Sequence, residues 1–400
     1  MSDPTNRPNR KTYPYKTPAL PFARGGSSIA FAFSFARGGS AKRFSPSFVR
    51  RGTGGGYKED RRLGKVLITA RAFWVSGQAA REALTSAGHE VVDSPQAGPL
   101  PEDVLIEQLQ GCQAVVASSD PYNARVFAAC PELQIVSRCG VGTDSVDMGA
   151  AAEAGVVVTN TPGAMTDAVA DYTFALLLSL VRRIPEGDAL IRSGGWGEYP
   201  GVLVCGKTLG LVGFGQIGQG VARRAAGFGM RILACDPPLA QSSSALPAGL
   251  PPVTFVELDD LLARSDFVSI HAPSTPETQG LFNAARFAQM KRTAYLVNTA
   301  RGALIDENAL LHALEAGHIA GAALDVYRQE PLPADHPLRH APRCVLTPHN
   351  AFNAAEAAAQ MSLISAENIL ALWRGSRAVS VCNPAVWDSP ALRLEAALTP

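Results

Sequence analysis

The sequence predicts an α/β protein of two doubly wound parallel-sheet domains behind a disordered N-terminal extension. Three observations carry this expectation. From Lys65 to an Ala-rich helix over 353–373, short apolar runs alternate with helix-period segments, the pattern of parallel strands joined by crossover helices. One of these units, 207–236, holds G-x-G-x-x-G at Gly213, Gly215 and Gly218. About six strands follow Lys207, enough for a full dinucleotide domain, and a first set of strands precedes it.

Length and composition agree with this. Four hundred residues, 46% hydrophobic and 18% charged, suit a soluble chain with room for two cores. The net charge of +1 hides an asymmetry: residues 1–62 hold 13 Lys/Arg against 3 Asp/Glu, so that segment is +10 and the remainder −9. Rich in Arg, Gly, Ser and Pro, with FARGGS repeated at 22–27 and 35–40, it cannot bury enough apolar surface to offset its ordering entropy. It reads as a disordered basic extension; a targeting peptide or a nucleic-acid arm are the alternatives. Seven scattered cysteines without C-x-x-C point to reduced thiols in the cytoplasm and to no metal site. The apolar stretch Phe174–Val181 is far too short to span a membrane.

In order, the first domain is expected to run through strand 66–68, helix 77–88, strand 89–92, helix 102–110, strand 114–117, helix 123–129, strand 133–136, a short helix within 145–154 and strand 156–158. Asn160-Thr161-Pro162-Gly163 reads as a linker, and the apolar helix 166–183 is expected to pack between domains or subunits. A Gly- and Trp-containing loop, 193–201, leads into the glycine-rich unit. Beyond it, strands 267–270, 295–297, 322–324 and 345–347 alternate with helices 257–264, 283–290 and 306–316. The implied bounds are an extension 1–62, a first domain 63–160, a nucleotide domain 161–348, a return segment 349–385 and a tail 386–400.

The glycine-rich unit has a physical reading beyond its spacing. Strand 208–212 leads to Gly213, which permits the tight turn; Gly215 lets backbone approach a pyrophosphate; Gly218 lets helix and strand pack closely. The following helix points its N–H groups and positive dipole end at the anion. Strand 231–235 then ends at Asp236, placed to accept hydrogen bonds from a ribose and to repel a 2′-phosphate, so NAD rather than NADP is the expected cofactor.

Three polar residues follow later strands, where ligands bind in such sheets: Arg301, Glu330 and His349. Arginine offers a fixed fork for a carboxylate, histidine an acid and base near neutral pH, and a glutamate can orient the imidazole. Singly, each is more often a surface ion pair, a solvated loop acid or a capped polar residue. Together with a dinucleotide site in one domain, they suit hydride exchange with a 2-keto acid.

Here the chain resembles the D-isomer-specific 2-hydroxyacid dehydrogenases, phosphoglycerate dehydrogenase-like, from Lys65 to about Asn383. The matching pieces are RCGVGTDSVD (138–147), NTPGAMTDAVADYTFALLL (160–178), GLVGFGQIGQ (210–219), HAPSTPETQGLFN (271–283), NTARGALIDENAL (298–310), ALDVYRQEPLP (323–333) and TPHNAF (347–352). The resemblance implies a flavodoxin-like substrate domain interrupted by a Rossmann NAD domain. It makes Arg301 the substrate-binding catalytic arginine and Glu330 with His349 the acid–base pair. Backbone at Val141 and Gly142 would hold the substrate carboxylate. Gln216, Ile217 and Asp236 would hold pyrophosphate and ribose, Ala272 and Pro273 would border adenosine, and Thr299, Ala300 and Asp325 would position the nicotinamide. It implies a homodimer through the helix at 166–183, and a structural His271. Phe352, where many members have a small residue, is a departure that could shape the pocket.

The expected activity is NAD-dependent exchange of a hydride with a 2-hydroxy acid, 3-phosphoglycerate-like by preference, with Arg71 and Arg138 as candidate phosphate cations. Reduction of glyoxylate or hydroxypyruvate is the alternative enzyme. An NAD(H)-sensing corepressor is the alternative from another class, although no nucleic-acid or membrane partner is expected for the body.

Overall fold

The computed structural model describes residues 63–241, 246–377 and 380–394. The basic extension 1–62 lies outside the described residues. The rest builds two wholly parallel sheets. In the first, β1 (Lys65–Ile68), β2 (Glu90–Asp93), β3 (Ala114–Ala117), β4 (Ile135–Arg138) and β5 (Val157–Thr159) are ordered β2-β1-β3-β4-β5, the flavodoxin-like arrangement. The second contains β6 (Thr208–Val212), β7 (Arg231–Cys235), β8 (Thr254–Phe255), β9 (Phe267–Ile270), β10 (Tyr295–Asn298), β11 (Gly321–Leu324) and β12 (Cys344–Leu346). Its order, β12-β11-β10-β9-β6-β7-β8, reverses direction between β6 and β9, which opens a crevice at the carboxyl ends of those strands.

Composition explains why these sheets are parallel. Every residue of β3, β6, β9 and β11 is buried, as covering on both faces requires. Asn123, Asp147, Asn283 and Asp306 cap the helices that follow them by accepting from first-turn amides. Among the described residues, no helix is long and apolar enough to cross a membrane.

Several boundaries differ from the sequence expectation. Strand β4 begins two residues late, because Leu133 is held in a turn by its N–H donating to Cys130 O. Helix Ile184–Arg192 lies outside the expected elements: Pro185 and Gly187 read as breakers, yet Pro185 sits in the first turn, where a proline is tolerated, and the Asp188–Arg192 pair supports the helix. Strand β8, two residues long, is too short to carry a pattern. Helix Thr166–Val181 packs on β10, β11 and β12 and on helix Gln216–Gly227, so its apolar side serves the second sheet rather than a boundary between domains.

Helix Ala355–Trp373 returns to cover the first sheet, lying on helices Arg71–Ser76 and Gln78–Ser86. Its buried Ala357, Ala358, Ser362, Ser365 and Ala366 permit close approach, and Ser137 Oγ on β4 donates to Ser365 O at 3.0 Å. Residues up to 394, expected as part of a tail, dock there too. Val386 and Leu394 are buried, and Arg393 donates to the carbonyls of Phe127, Cys130 and Leu133. A guanidinium engaged with backbone carbonyls leaves no periodic trace in a sequence.

Candidate active site

The crevice between β6 and β9 is shaped for a pyrophosphate. Gly213 has φ +92°, and a Cβ there would come within 2.6 Å of His271 backbone. A Cβ on Gly218 would collide with Gly213 O, whereas one on Gly215 would meet open space. Thus the first and third glycines are demanded by packing, and the second leaves room for a ligand. Helix Gln216–Gly227 starts there with no side chain capping it, so amides at Gln216 and Ile217 face the crevice without a competitor. Asp236 stands at the end of β7. Its carboxylate accepts from Phe214 N at 2.7 Å and Leu239 N at 3.1 Å, which fixes its orientation and leaves lone pairs for a ribose diol. These features fit NAD. Ala272 and Pro273 follow β9 on the opposite lip, and His271 before them binds Ser269 Oγ at 2.9 Å. Burial pushes the His271 imidazole down to about 3, so it stays neutral and structural.

A second cavity, of about 280 Å³, lies where loops of the two sheets meet. Arg301, Glu330 and His349 all border it, together with Asp144. They arrive from the carboxyl ends of β10, β11 and β12, so neighbouring strands deliver three residues that sequence separates by 29 and 19 positions. His349 Nδ1 lies 2.6 Å from Glu330 Oε2, and Tyr327 N donates to Glu330 Oε1 at 2.9 Å. Burial works to raise the Glu330 carboxyl. The His349 hydrogen bond, the Tyr327 amide and the nearby charges of His349 and Arg301 outweigh it and hold the group below the ordinary carboxylate range. With Nδ1 engaged, Nε2 is the nitrogen left for a substrate. Phe352 meets the His349 ring edge-on at 6.1 Å and packs against the core of the first sheet, so it backs the imidazole without lining the cavity.

The remaining expected residues are placed as follows. Gly142 lies against Arg301, and a Cβ on it would collide with Arg301 Nη2; Val141 beside it is partly exposed. Ala300 O accepts from Arg301 Nη1 at 2.7 Å. Thr299 turns its hydroxyl to Thr173 Oγ1, 3.1 Å away on helix Thr166–Val181. Asp325 is fully buried beneath the histidine loop, accepting from Thr347 Oγ1 at 2.6 Å, Asn350 N at 2.9 Å and Ala351 N at 2.8 Å. Arg138 is turned inward, donating to Ala117 O, Cys139 O and Ser119 Oγ, while Arg71 is exposed at a helix start. Sequence reading missed Asp144, whose Oδ2 accepts from Arg301 Nε at 2.9 Å and Nη2 at 2.8 Å. Its only signal was its place in the 138–147 motif.

A sheet that grips a dinucleotide, set across a cleft from a second sheet with an oriented imidazole between them, defines the class of nicotinamide-dependent dehydrogenases. Residues 174–351 match the family described as D-isomer specific 2-hydroxyacid dehydrogenase, NAD binding domain. A glyoxylate reductase of Korarchaeum cryptofilum is 44% identical over 295 residues, covering 72% of this chain and 88% of its own. A D-3-phosphoglycerate dehydrogenase of Mycobacterium tuberculosis is 40% identical over 274 residues, 68% of this chain and 51% of its own. A crystal structure of a Thermus thermophilus protein superposes with a TM-score of 0.71 at 40% identity, covering 80% of this chain and 99% of that one. The chain belongs to the D-isomer specific 2-hydroxyacid dehydrogenase family and is an NAD-dependent oxidoreductase acting on CH–OH donors.

Proposed function

We propose that the enzyme reduces a small 2-keto acid, glyoxylate or hydroxypyruvate, with NADH. The observation that carries this reading is the cavity shared by Arg301, Glu330 and His349. When bound, NADH supplies the hydride that reaches the keto carbon. Arg301 holds the substrate carboxylate, helped by amides of the Val141–Gly142 loop. His349 gives a proton from Nε2 to the carbonyl oxygen as it becomes a hydroxyl, and Glu330 keeps the ring aimed and favours its charged form. In oxidation the same nitrogen takes the proton back.

The preference for a small acid rests on the cations. Arg138, one candidate for a phosphate, is committed to two carbonyls and a hydroxyl, and Arg71, the other, does not border the cavity. The phosphorylated substrate expected from the motifs draws support from Arg328, which borders the cavity mouth, and from the Mycobacterium tuberculosis relative. Steady-state kinetics with NADH and a panel of glyoxylate, hydroxypyruvate and 3-phosphohydroxypyruvate separates the two. Higher kcat/KM for the phosphorylated acid would reverse the assignment, and no turnover of any of the three would end it.

The same reading gives a substrate domain of 63–160 and 349–385 closing on an NAD domain of 161–348. A homodimer is supported by the arm after helix Thr166–Val181, where Ile184, Ile191, Leu203 and Trp196, the last 91% exposed, present apolar surface. Trp196→Asp should turn a dimer into a monomer in light scattering; a wild-type monomer would contradict the assembly. All seven cysteines are unpaired, in keeping with a reducing cytoplasm.

A further inference from the structure

Arg301 is held by more than its own domain. A guanidinium has five N–H donors in a rigid fork. Here Nε and Nη2 both donate to Asp144 Oδ2, and Nη1 donates to Ala300 O. One N–H remains on Nη1 and one on Nη2, the pair that meets a carboxylate end-on through two parallel bonds. The side-on edge is occupied, and each of the two end nitrogens keeps one donor to spare.

The partner on the other wall is built to aim this group. Asp144 belongs to the loop between β4 and helix Met148–Glu153, and that loop is braced. Asn160 Nδ2 donates to Val141 O at 2.9 Å, Thr161 N to Gly140 O at 3.0 Å, and Arg138 Nη1 to Cys139 O at 3.0 Å. Val146 N closes the turn on Thr143 O at 3.0 Å. At Gly142 any side chain would strike Arg301 Nη2, so the guanidinium is seated directly on backbone. The Arg301 and Asp144 side chains are 34% and 51% exposed, and an ion pair so open to water adds little to stability. Its effect is on direction.

We infer that Asp144 is a positioning residue for Arg301, fixing the side-on edge of the guanidinium so that the end-on edge meets the substrate carboxylate. Since the two residues come from opposite walls, the grip is complete only when the walls are together. The inference rests on Arg301 binding the carboxylate, as proposed above. The contrary role, a carboxylate that competes with substrate for Arg301, predicts an effect of opposite sign.

The test uses the full chain as D144N, R301K and the double variant, with steady-state reduction of glyoxylate by NADH. For D144N, KM for the keto acid should rise about tenfold, comparable to one charge-assisted hydrogen bond mispointed, while KM for NADH moves by less than about twofold. Because Asp144 acts through Arg301, the double variant should be no worse than R301K alone, which a general structural defect would not reproduce. A KM that stays or falls in D144N, or penalties that simply add in the double variant, overturns the inference. If R301K itself keeps a normal KM, the carboxylate assignment falls and this inference with it; a crippled R301K beside a normal D144N sinks this inference alone.

Discussion

Replacing Glu330 by Gln isolates the charge beside His349. The amide keeps the shape, and its one oxygen can still accept from Nδ1 while the acceptor for Tyr327 N is given up, so the ring keeps its place and loses its anionic neighbour. At neutral pH that neighbour is fully ionised. Burial alone would raise its carboxyl, but the His349 bond, the Tyr327 amide and the two nearby cations hold it below the ordinary carboxylate range. A carboxyl depressed on folding gives stability that is present above its unfolded value and lost only as pH falls through its folded one. Over the working range it is therefore a constant −1. Unit charges about 4 Å apart at an effective dielectric of about 20 interact by roughly 4 kcal/mol. The His349 and Glu330 side chains are 42% and 35% exposed, so water screens the pair. About 1 kcal/mol is the remainder for so open a pair. In the proposed mechanism reduction needs the imidazole protonated, so its rate falls with rising pH, and in Glu330→Gln, where the imidazolium has no anionic neighbour, that alkaline limb should move to lower pH. Oxidation needs the neutral ring, and its acid limb should move the same way. The assay is the pH profile of kcat/KM in both directions. If both limbs stay where the wild type has them, Glu330 is not the partner of His349 in catalysis.

Arg301→Lys should cut kcat/KM by about a hundredfold or more, because an ammonium keeps the charge and loses the planar fork; turnover near that of wild type would place the carboxylate elsewhere. Asp236→Ala should raise KM for NAD and improve the NADP to NAD efficiency ratio, since it removes the carboxylate that Phe214 N and Leu239 N orient toward the ribose; an unchanged ratio would remove Asp236 from cofactor choice. Deleting residues 1–60 should leave activity within about twofold and melting temperature nearly unmoved, given a composition that cannot build a core. A large loss of either would mean that the extension docks on the body.

What could be read from the sequence was whatever short-range physics writes into it. Fully buried strands such as β3 and β9 are unbroken apolar runs, and the glycines at 213 and 218 answer steric demands within one βαβ unit. Arg301, Glu330 and His349 were legible because each follows such a run. Helix Ile184–Arg192 was not, since Pro185 and Gly187 in its first turns read as breakers just after the apolar helix ends. Neither was Asp144, which meets Arg301 across 157 positions and looks like any polar loop residue until the walls of the cleft are assembled. The resemblance put Asp325 beside the nicotinamide; in the fold three of its bonds run to the loop carrying His349.

Those bonds explain how an unusual backbone is kept. His349 sits at φ +51°, a region that costs a residue other than glycine about 1 kcal/mol or more. Its N–H donates to Asp325 O at 2.7 Å, and the Asp325 carboxylate takes the next two amides and the Thr347 hydroxyl. One strand end, that of β11, therefore holds His349 twice: Asp325 fixes its backbone and Glu330 its ring. Arg301 is governed differently, by Ala300 on its own wall and Asp144 on the other. In the proposed mechanism the proton-transfer pair is thus held by residues that follow strands of the second sheet, whereas the grip on the carboxylate draws on both sheets. A cleft that opens would part Arg301 from Asp144, and one that closes would restore that pair beside a His349 held by Asp325 and Glu330.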